Sequence, residues 1–375
     1  MSELIVEVCK IDKIINHENA NSLEIARVKG WDCIVKKDDY KAGDTIVFIP
    51  PDSLLPREQA ERLGVINYLA GKQKNRVKTV KLRGEISYGL IISNEENWEV
   101  GTDVSEYYGI KKYFPPTRMQ MGDMAPEDVY FMRMTSIENI NNYPDTFKEG
   151  QIVAVTEKID GCLDRLGISQ VIFKEEDDYG NIEVYKLPSK EDDPIYGIWK
   201  AGSNKVNRKR PETSEEMVKH PYWFPYLLDS VYELIEFLII DQEKSHVQLF
   251  GEVFGEGISG GSKSLHYGVN VGLDYRAFGL KINCRKVGYR AFKELCDTFK
   301  VKTVPEIAVI PYNFEEIKKL AKGKSVLAQE KGMDHIREGV VVCAYDELDG
   351  PVAKFMNPDY LLLKEKGKIA DFTDE

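Results

Sequence analysis

The sequence lacks the groupings that bind metals or lock small secreted domains. Its six cysteines (Cys9, Cys33, Cys162, Cys284, Cys296 and Cys343) are scattered, and no two form a C-x-x-C pair. That spacing excludes a zinc ribbon or a dense disulfide framework and fits reduced thiols. The five histidines show no H-E-x-x-H spacing, and no G-x-x-x-x-G-K-[ST] string occurs. Hydrolytic zinc chemistry and P-loop binding of ATP are therefore not expected. Apolar runs such as 237–240 fall far short of the ~20 residues that span a bilayer. The opening MSELIVEVCKIDK has no basic stretch followed by an apolar core, so no signal peptide is indicated. We expect a cytoplasmic protein without a membrane partner. Positive charge is also in the minority, with 51 Lys and Arg against 62 Asp and Glu and a formal charge of −11. Such a balance argues against coating nucleic acid wholesale, while leaving room for a locally basic groove.

What is present suits a two-domain globular protein. The chain has 375 residues, 42% of them apolar, enough for two sizeable cores. The first ~110 residues read as β. Short β-branched segments near 4–8, 23–28, 33–35 and 45–49 are separated by turn signals, and 78–82 and 90–92 repeat the pattern. A helix over 57–63 interrupts them. Five or six such strands predict a small barrel or sandwich. Residues 111–130 are rich in proline and methionine without periodicity and read as a linker. Beyond them the pattern turns mixed. Strands are expected over 152–157, 247–253, 275–281, 339–344 and 352–355, with helices over 226–242, 288–299 and 314–321. The expected division is 1–112, a linker over 113–130, and an α+β domain over 131–375.

The chemistry centres on Glu157-Lys158-Ile159-Asp160-Gly161, directly after the apolar stretch IVAVT. A K-x-D-G string arises by chance in roughly a tenth of chains this long. A lysine ending a buried strand beside two carboxylates can nonetheless act as a nucleophile once its proton is lost. The bland alternative is a surface lysine before a turn-forming Asp-Gly. Further pieces follow in order: Glu252 between two glycines, Phe278 in YRAFGL, Glu338 heading the apolar stretch GVVV, and Lys354 in AKFMN. Each has a dull reading as a strand-end acid, a core aromatic or a solvated lysine. Their conjunction, one nucleophile with acids, an aromatic and a second lysine at strand ends, suits nucleotide transfer.

These motifs resemble those of the covalent nucleotidyltransferases, the ligases and mRNA capping enzymes. Lys158 to Gly161 resembles motif I, Glu252 motif III, Phe278 the base-stacking aromatic of motif IIIa, Glu338 the acid of motif IV, and Lys354 the first lysine of motif V. The stretch 17–56, continued by 76–90, resembles the OB-type domain of the fifth RNA ligase family, in which that domain precedes the transferase. Capping enzymes and most DNA ligases place it afterwards. The sequence departs from the pattern at Met356, where a second motif V lysine is usual, and at Asn204, where motif Ia usually has arginine; Lys205 or Arg208 could take over there.

The resemblance implies an α+β chain: an N-terminal OB-type β-barrel, then a nucleotidyltransferase domain of two antiparallel sheets with flanking helices. It implies an ATP-dependent RNA ligase that forms AMP-Lys158, passes AMP to a 5′-phosphate and seals it to a 3′-hydroxyl, with nicked RNA-containing duplexes or RNA ends as partners. Lys158 and Lys354 are the catalytic candidates. Glu157, Lys158, Glu252, Phe278 and Lys354 are expected around the nucleotide, and Asp160 and Glu338 around Mg²⁺ or Mn²⁺. Basic residues suited to RNA phosphates cluster at 72–83, including Arg76, Lys78, Lys81 and Arg83, and at Lys205 and Arg208. A monomer is expected. The competing readings are a DNA ligase, a capping-type transferase, or a non-catalytic tRNA- or RNA-binding protein.

Overall fold

The computed structural model describes residues 4–115, 122–171, 185–187, 195–240, 242, 244–258 and 265–369. Part of the expected linker, 116–121, lies outside these residues. The chain divides into two compact units that are not contiguous in sequence. The first comprises Met1–Pro115, Ser136–Phe147 and Ala353–Asp371; the second comprises Pro116–Thr135, Lys148–Val352 and Phe372–Glu375. Two later segments thus join the N-terminal residues in the first unit. No helix among the described residues is long and apolar enough to cross a membrane.

The first unit is built from short antiparallel strands. Glu7–Lys10, Thr45–Ile49 and Leu90–Ser93 pair side by side, as do Lys13–Asn16, Leu23–Val28 and Trp31–Lys36. The second group turns tightly at Lys29 and Gly30, with Val28 opposite Trp31 and Lys29 at φ 53°. A second tight turn joins Val80–Leu82 to Glu85–Ser87. Arg83 and Gly84 both have positive φ, at 48° and 101°, the conformation of a type I′ hairpin. Alternation sends Val47 and Ile49 to one buried cluster with Val6, Val8 and Leu55, and Ile46 and Phe48 to another with Ile11, Trp31 and Tyr88. The helix Pro358–Glu365 starts at Pro358, is capped by the Asn357 side chain, and packs Leu361 against the second cluster.

The second unit contains a large sheet, antiparallel throughout. Its order is Met124–Ala125, Asn207–Arg208, Ile195–Gly202, Cys162–Val171, His246–Gly255, Leu273–Ile282 and Arg285–Lys286, with Tyr185–Leu187 branching from Ile195–Gly202. The helix Asp229–Ile240 buries Val231, Leu234, Ile235, Leu238 and Ile239 in one core with Leu166, Ile168 and Leu249 of that sheet. A separate antiparallel set places Ile152–Lys158 between Glu306–Pro311 and Gly339–Ala344. Two central strands of the large sheet, Cys162–Val171 and Ile195–Gly202, were not expected from sequence.

The stretch 126–134 is held down by four hydrogen bonds within its own unit. Asn207 donates to the Pro126 carbonyl at 2.8 Å, Arg165 to the Phe131 carbonyl at 2.9 Å, and Gln248 to the Met132 carbonyl at 2.6 Å, while Asn204 accepts from the Met134 amide at 2.7 Å. The linker expected over 113–130 overlaps this strap at 126–130. Low periodicity concealed a strap whose order comes from polar side chains on distant strands.

Candidate active site

Alternation along Ile152–Lys158 decides which side chains meet. Val153, Val155 and Glu157 face one side, and Ala154, Thr156 and Lys158 the other. Lys158 is the last residue of the strand and pairs in register with Gly339. Glu338, one residue earlier, therefore stands beside it, and the Lys158 Nζ donates to Glu338 Oε2 at 2.8 Å. Desolvation pulls the Lys158 ammonium down, but the carboxylates of Glu338, Glu252 and Asp160 outweigh it and hold it above the ordinary lysine value. As folded, Lys158 is charged and hydrogen-bonded to the Glu338 carboxylate.

Gly161 explains the last letter of the motif. It starts the turn into Cys162–Val171, and its amide donates to Glu252 Oε1 at 3.1 Å. A Cβ built there would sit 2.6 Å from the Val253 carbonyl oxygen and 2.8 Å from Glu252 Cγ. Only glycine lets the chain pass this close to the glutamate strand. Asp160 is oriented by its neighbours, its amide donating to the Tyr267 hydroxyl at 2.8 Å. Tyr267 is fully buried against Phe254 and His335. The approach of the Asp160, Glu252 and Glu338 carboxylates to one lysine is the central feature of the site.

Phe278 owes its place to a β-bulge. Phe250 lies opposite Gly279 and Gly251 opposite Ala277, which leaves Phe278 as the extra residue of its strand. Its ring is half-buried, 6.5 Å from that of Phe250 and tilted by 32°. Gly251 is needed for a different contact: a Cβ there would strike the Tyr275 ring at 2.2 Å.

Glu157 and Asn204 are placed elsewhere in the second unit. The Glu157 carboxylate points away from Lys158, accepting from the Val326 and Leu327 amides at 2.8 and 3.2 Å at the start of Val326–Glu330. Burial raises its pKa, while Ser325, those amides and Arg337 oppose the rise. Its side chain is an anchor for that helix. Lys354 belongs to the first unit, on Val352–Met356, where Asn139 pairs with it in parallel register. Asn204 holds the strap.

The basic candidates also separate. Lys81, Arg83 and Lys205 are exposed and Lys78 is half-buried. Arg76 is turned inward, donating to both Glu365 oxygens at 3.2 Å and lying 4.3 Å over the Tyr113 ring. Arg208 is buried, donating to Asp123 at 2.9 Å and lying over Tyr222. A buried guanidinium needs acceptors for its donors, and here protein carboxylates supply them. Sequence reading missed Tyr267, which positions Asp160, and Arg165, which bridges Ser203, Phe131 and Asn207.

The lysine fenced by carboxylates at a strand end lies in a unit of mixed helices and sheets, and the first unit is built of short antiparallel strands. A family model described as RNA ligase matches residues 151–356, more than half of the chain, and one described as an OB-fold domain matches residues 5–94. The chain belongs to the RNA ligase family and carries an N-terminal OB-fold domain. Among solved structures it is similar to a Naegleria gruberi RNA ligase. A lysine-to-alanine mutant of that protein with ATP and Mn is 23% identical, with a TM-score of 0.69 over 97% of this chain and 99% of that one. A glutamate-to-alanine mutant with AMP and Mn is 22% identical, with a TM-score of 0.70 over 97% and 100%. The same ligase with PPi gives 22% and 0.67 over 97% and 100%. These likenesses establish a shared fold. A comparison with curated proteins gave no significant match.

Proposed function

We propose that this chain is an ATP-dependent ligase that joins 3′-hydroxyl and 5′-phosphate RNA ends, at nicks in duplexes, through a lysyl-AMP on Lys158. The observation that carries the reading is Lys158 Nζ, 2.8 Å from Glu338 and within the field of Glu252 and Asp160, in a member of the RNA ligase family. In the first step Lys158 gives up its ammonium proton to water, and the neutral Nζ attacks the α-phosphorus of ATP, forming an N–P bond as the bond to pyrophosphate breaks. A 5′-phosphate oxygen of the RNA then displaces the lysine, and a 3′-hydroxyl finally displaces AMP. Each is an in-line substitution aided by positioning and charge neutralisation.

The chain's own residues divide the work. Glu338 receives the hydrogen bond of Lys158 and aims Nζ. Glu252, steadied by the Gly161 amide, is suited to accept from a ribose hydroxyl, and Phe278 offers a half-open ring for adenine. The structural neighbours with ATP, AMP and Mn support a nucleotide and a divalent ion. Asp160 and Glu338 offer the hard oxygen donors that Mg²⁺ or Mn²⁺ prefers. Among the described residues no three His, Cys, Asp or Glu converge as a metal cage, so the fit is to an ion completed by phosphate oxygens and water. When bound, such an ion would offset the carboxylate field that now holds Lys158 charged.

In this reading Lys354 contacts the α-phosphate, and Lys78, Lys81, Arg83 and Lys205 are the basic candidates left exposed or half-exposed for RNA. Residues 1–112 and 131–375 act as the RNA-binding and transferase domains of a cytoplasmic monomer. The test is incubation with ATP labelled at the α-phosphate, then with 5′-phosphorylated nicks in RNA or DNA duplexes. Wild-type protein is expected to acquire label and seal the RNA nick. Lys158→Ala is expected to acquire none, and label persisting on that variant would remove the proposal.

A further inference from the structure

The second unit contains a cleft of about 550 Å³ that the site above does not use. Five of its lining residues are cations, Arg276, Lys293, Lys300, Lys302 and Lys331, against two acids. This reverses the sign of a chain whose formal charge is −11. Val301 is its only aliphatic lining residue, so the cleft does not suit an apolar ligand. Part of the charge is already matched. Lys293 pairs with Asp297, while Arg276 and Lys331 share Asp274 at 2.8 and 3.3 Å. Lys300 and Lys302 are exposed and make no ion pair among the described residues.

The cleft adjoins the nucleotide site through the backbone. Arg276 stands directly opposite Glu252 in register, which puts both on one face, about 5 Å apart at Cβ. The loop carrying Lys300 and Lys302 follows the helix Tyr289–Thr298 through a left-handed residue, Lys300 at φ 59°. It is then tied to the strand of Phe278, with the Lys302 carbonyl accepting from the Ala277 amide at 2.9 Å. Three residues later the Pro305 carbonyl accepts from the Glu157 amide at 2.9 Å, next to Lys158. Two ammonium groups without an ion pair among the described residues are thus carried on a loop bonded to the strands of Phe278 and Lys158.

We propose that this cleft holds the phosphate backbone of the RNA strand whose end is being joined, with Lys300 and Lys302 as its phosphate contacts. The proposal rests on the ligase reading above. Phosphate oxygens could also come from the triphosphate of ATP, and the test separates the two. Lys300→Ala/Lys302→Ala is made in the full chain. Its affinity for a 5′-phosphorylated nicked RNA duplex is measured by fluorescence anisotropy from 0.1 to 1 M salt.

Loss of two phosphate contacts lowers the log–log salt slope by about 1.4 to 1.8, which is roughly 25- to 60-fold weaker binding at 0.1 M salt relative to 1 M. Enzyme-AMP formation, which involves no RNA, is expected at the wild-type rate. Lys319→Ala/Lys322→Ala, on exposed positions of and after the helix Phe314–Ala321, is expected to bind RNA as wild type does. Unchanged RNA affinity and slope in the cleft variant would overturn the proposal. So would slower enzyme-AMP formation with RNA affinity intact, which would assign the cleft to the triphosphate. If wild type forms no enzyme-AMP while the cleft variant still loses RNA affinity, the ligase reading fails and the cleft assignment stands.

Discussion

Replacing Gly161 by alanine adds a single methyl group, and the structure says where it goes. The new carbon would lie 2.6 Å from the Val253 carbonyl oxygen and 2.8 Å from Glu252 Cγ. Since φ at Gly161 is not in the left-handed region, the cost is one of space alone. Relief requires the turn and the glutamate strand to part by about 0.5 Å, at the 1–3 kcal/mol typical of overpacking. The bond from the Gly161 amide to Glu252 at 3.1 Å lengthens as they part. Lys158 lies three residues upstream, and a 1 Å displacement of a reacting group can cost about 100-fold. A shift of half that size is expected to slow enzyme-AMP formation about tenfold. The accompanying fall in melting temperature is roughly 2–10 °C. Single-turnover labelling with ATP and a thermal melt measure both effects. Labelling within twofold of wild type, with an unchanged melt, would refute the close approach as the reason for glycine here.

Three other outcomes follow from the same geometry, beside the loss of labelling in Lys158→Ala. In the nucleotide-free protein, Glu338→Gln removes the foremost of the carboxylates that raise Lys158. Amine acylation of Lys158, followed by mass spectrometry across pH, should then begin at lower pH than in wild type; superimposable profiles would count against the pairing. Asp274 is pushed up by burial but held below the ordinary carboxylate range by Arg276, the Tyr275 amide and Lys331. A depressed folded pKa contributes stability above the unfolded value of about 3.8 and loses it as pH falls through the folded one. Asp274→Asn should therefore cost about 2 kcal/mol near neutrality, with the gap in denaturant midpoints closing at acid pH. Asn204→Ala strips the acceptor from the Met134 amide, bonded at 2.7 Å. A loss of about 1 kcal/mol is expected, with labelling of Lys158 retained, and abolished labelling would mean that Asn204 does more than hold the strap.

The sequence by itself singled out Lys158, Glu252 and Glu338 as candidates and determined most of the strands around them. Residues 152–157, 247–253, 275–281 and 339–344 were legible because an apolar strand bounded by turn residues is a local pattern, and each appears as a strand. The same locality made Lys158 and Glu338 visible as strand-end groups, whereas Glu252, expected at a strand end, lies within His246–Gly255 because that strand runs on to Gly255. Cys162–Val171 escaped because a central strand holding Asp164 and Arg165, both fully buried, breaks the apolar pattern, and the groups Arg165 needs lie at Phe131, Ser203 and Asn207. Only the tertiary structure decided which carboxylates meet the lysine. Pairing register set Glu338 beside Lys158, strand alternation sent Glu157 to the far side, and a bulge re-aimed Phe278. It also decided that Arg76 and Arg208 answer protein carboxylates, whereas Lys300 and Lys302, inconspicuous in sequence, line a basic cleft. The reason is the same throughout. A residue's type states what it can bond to, and register and packing against distant strands choose the partner.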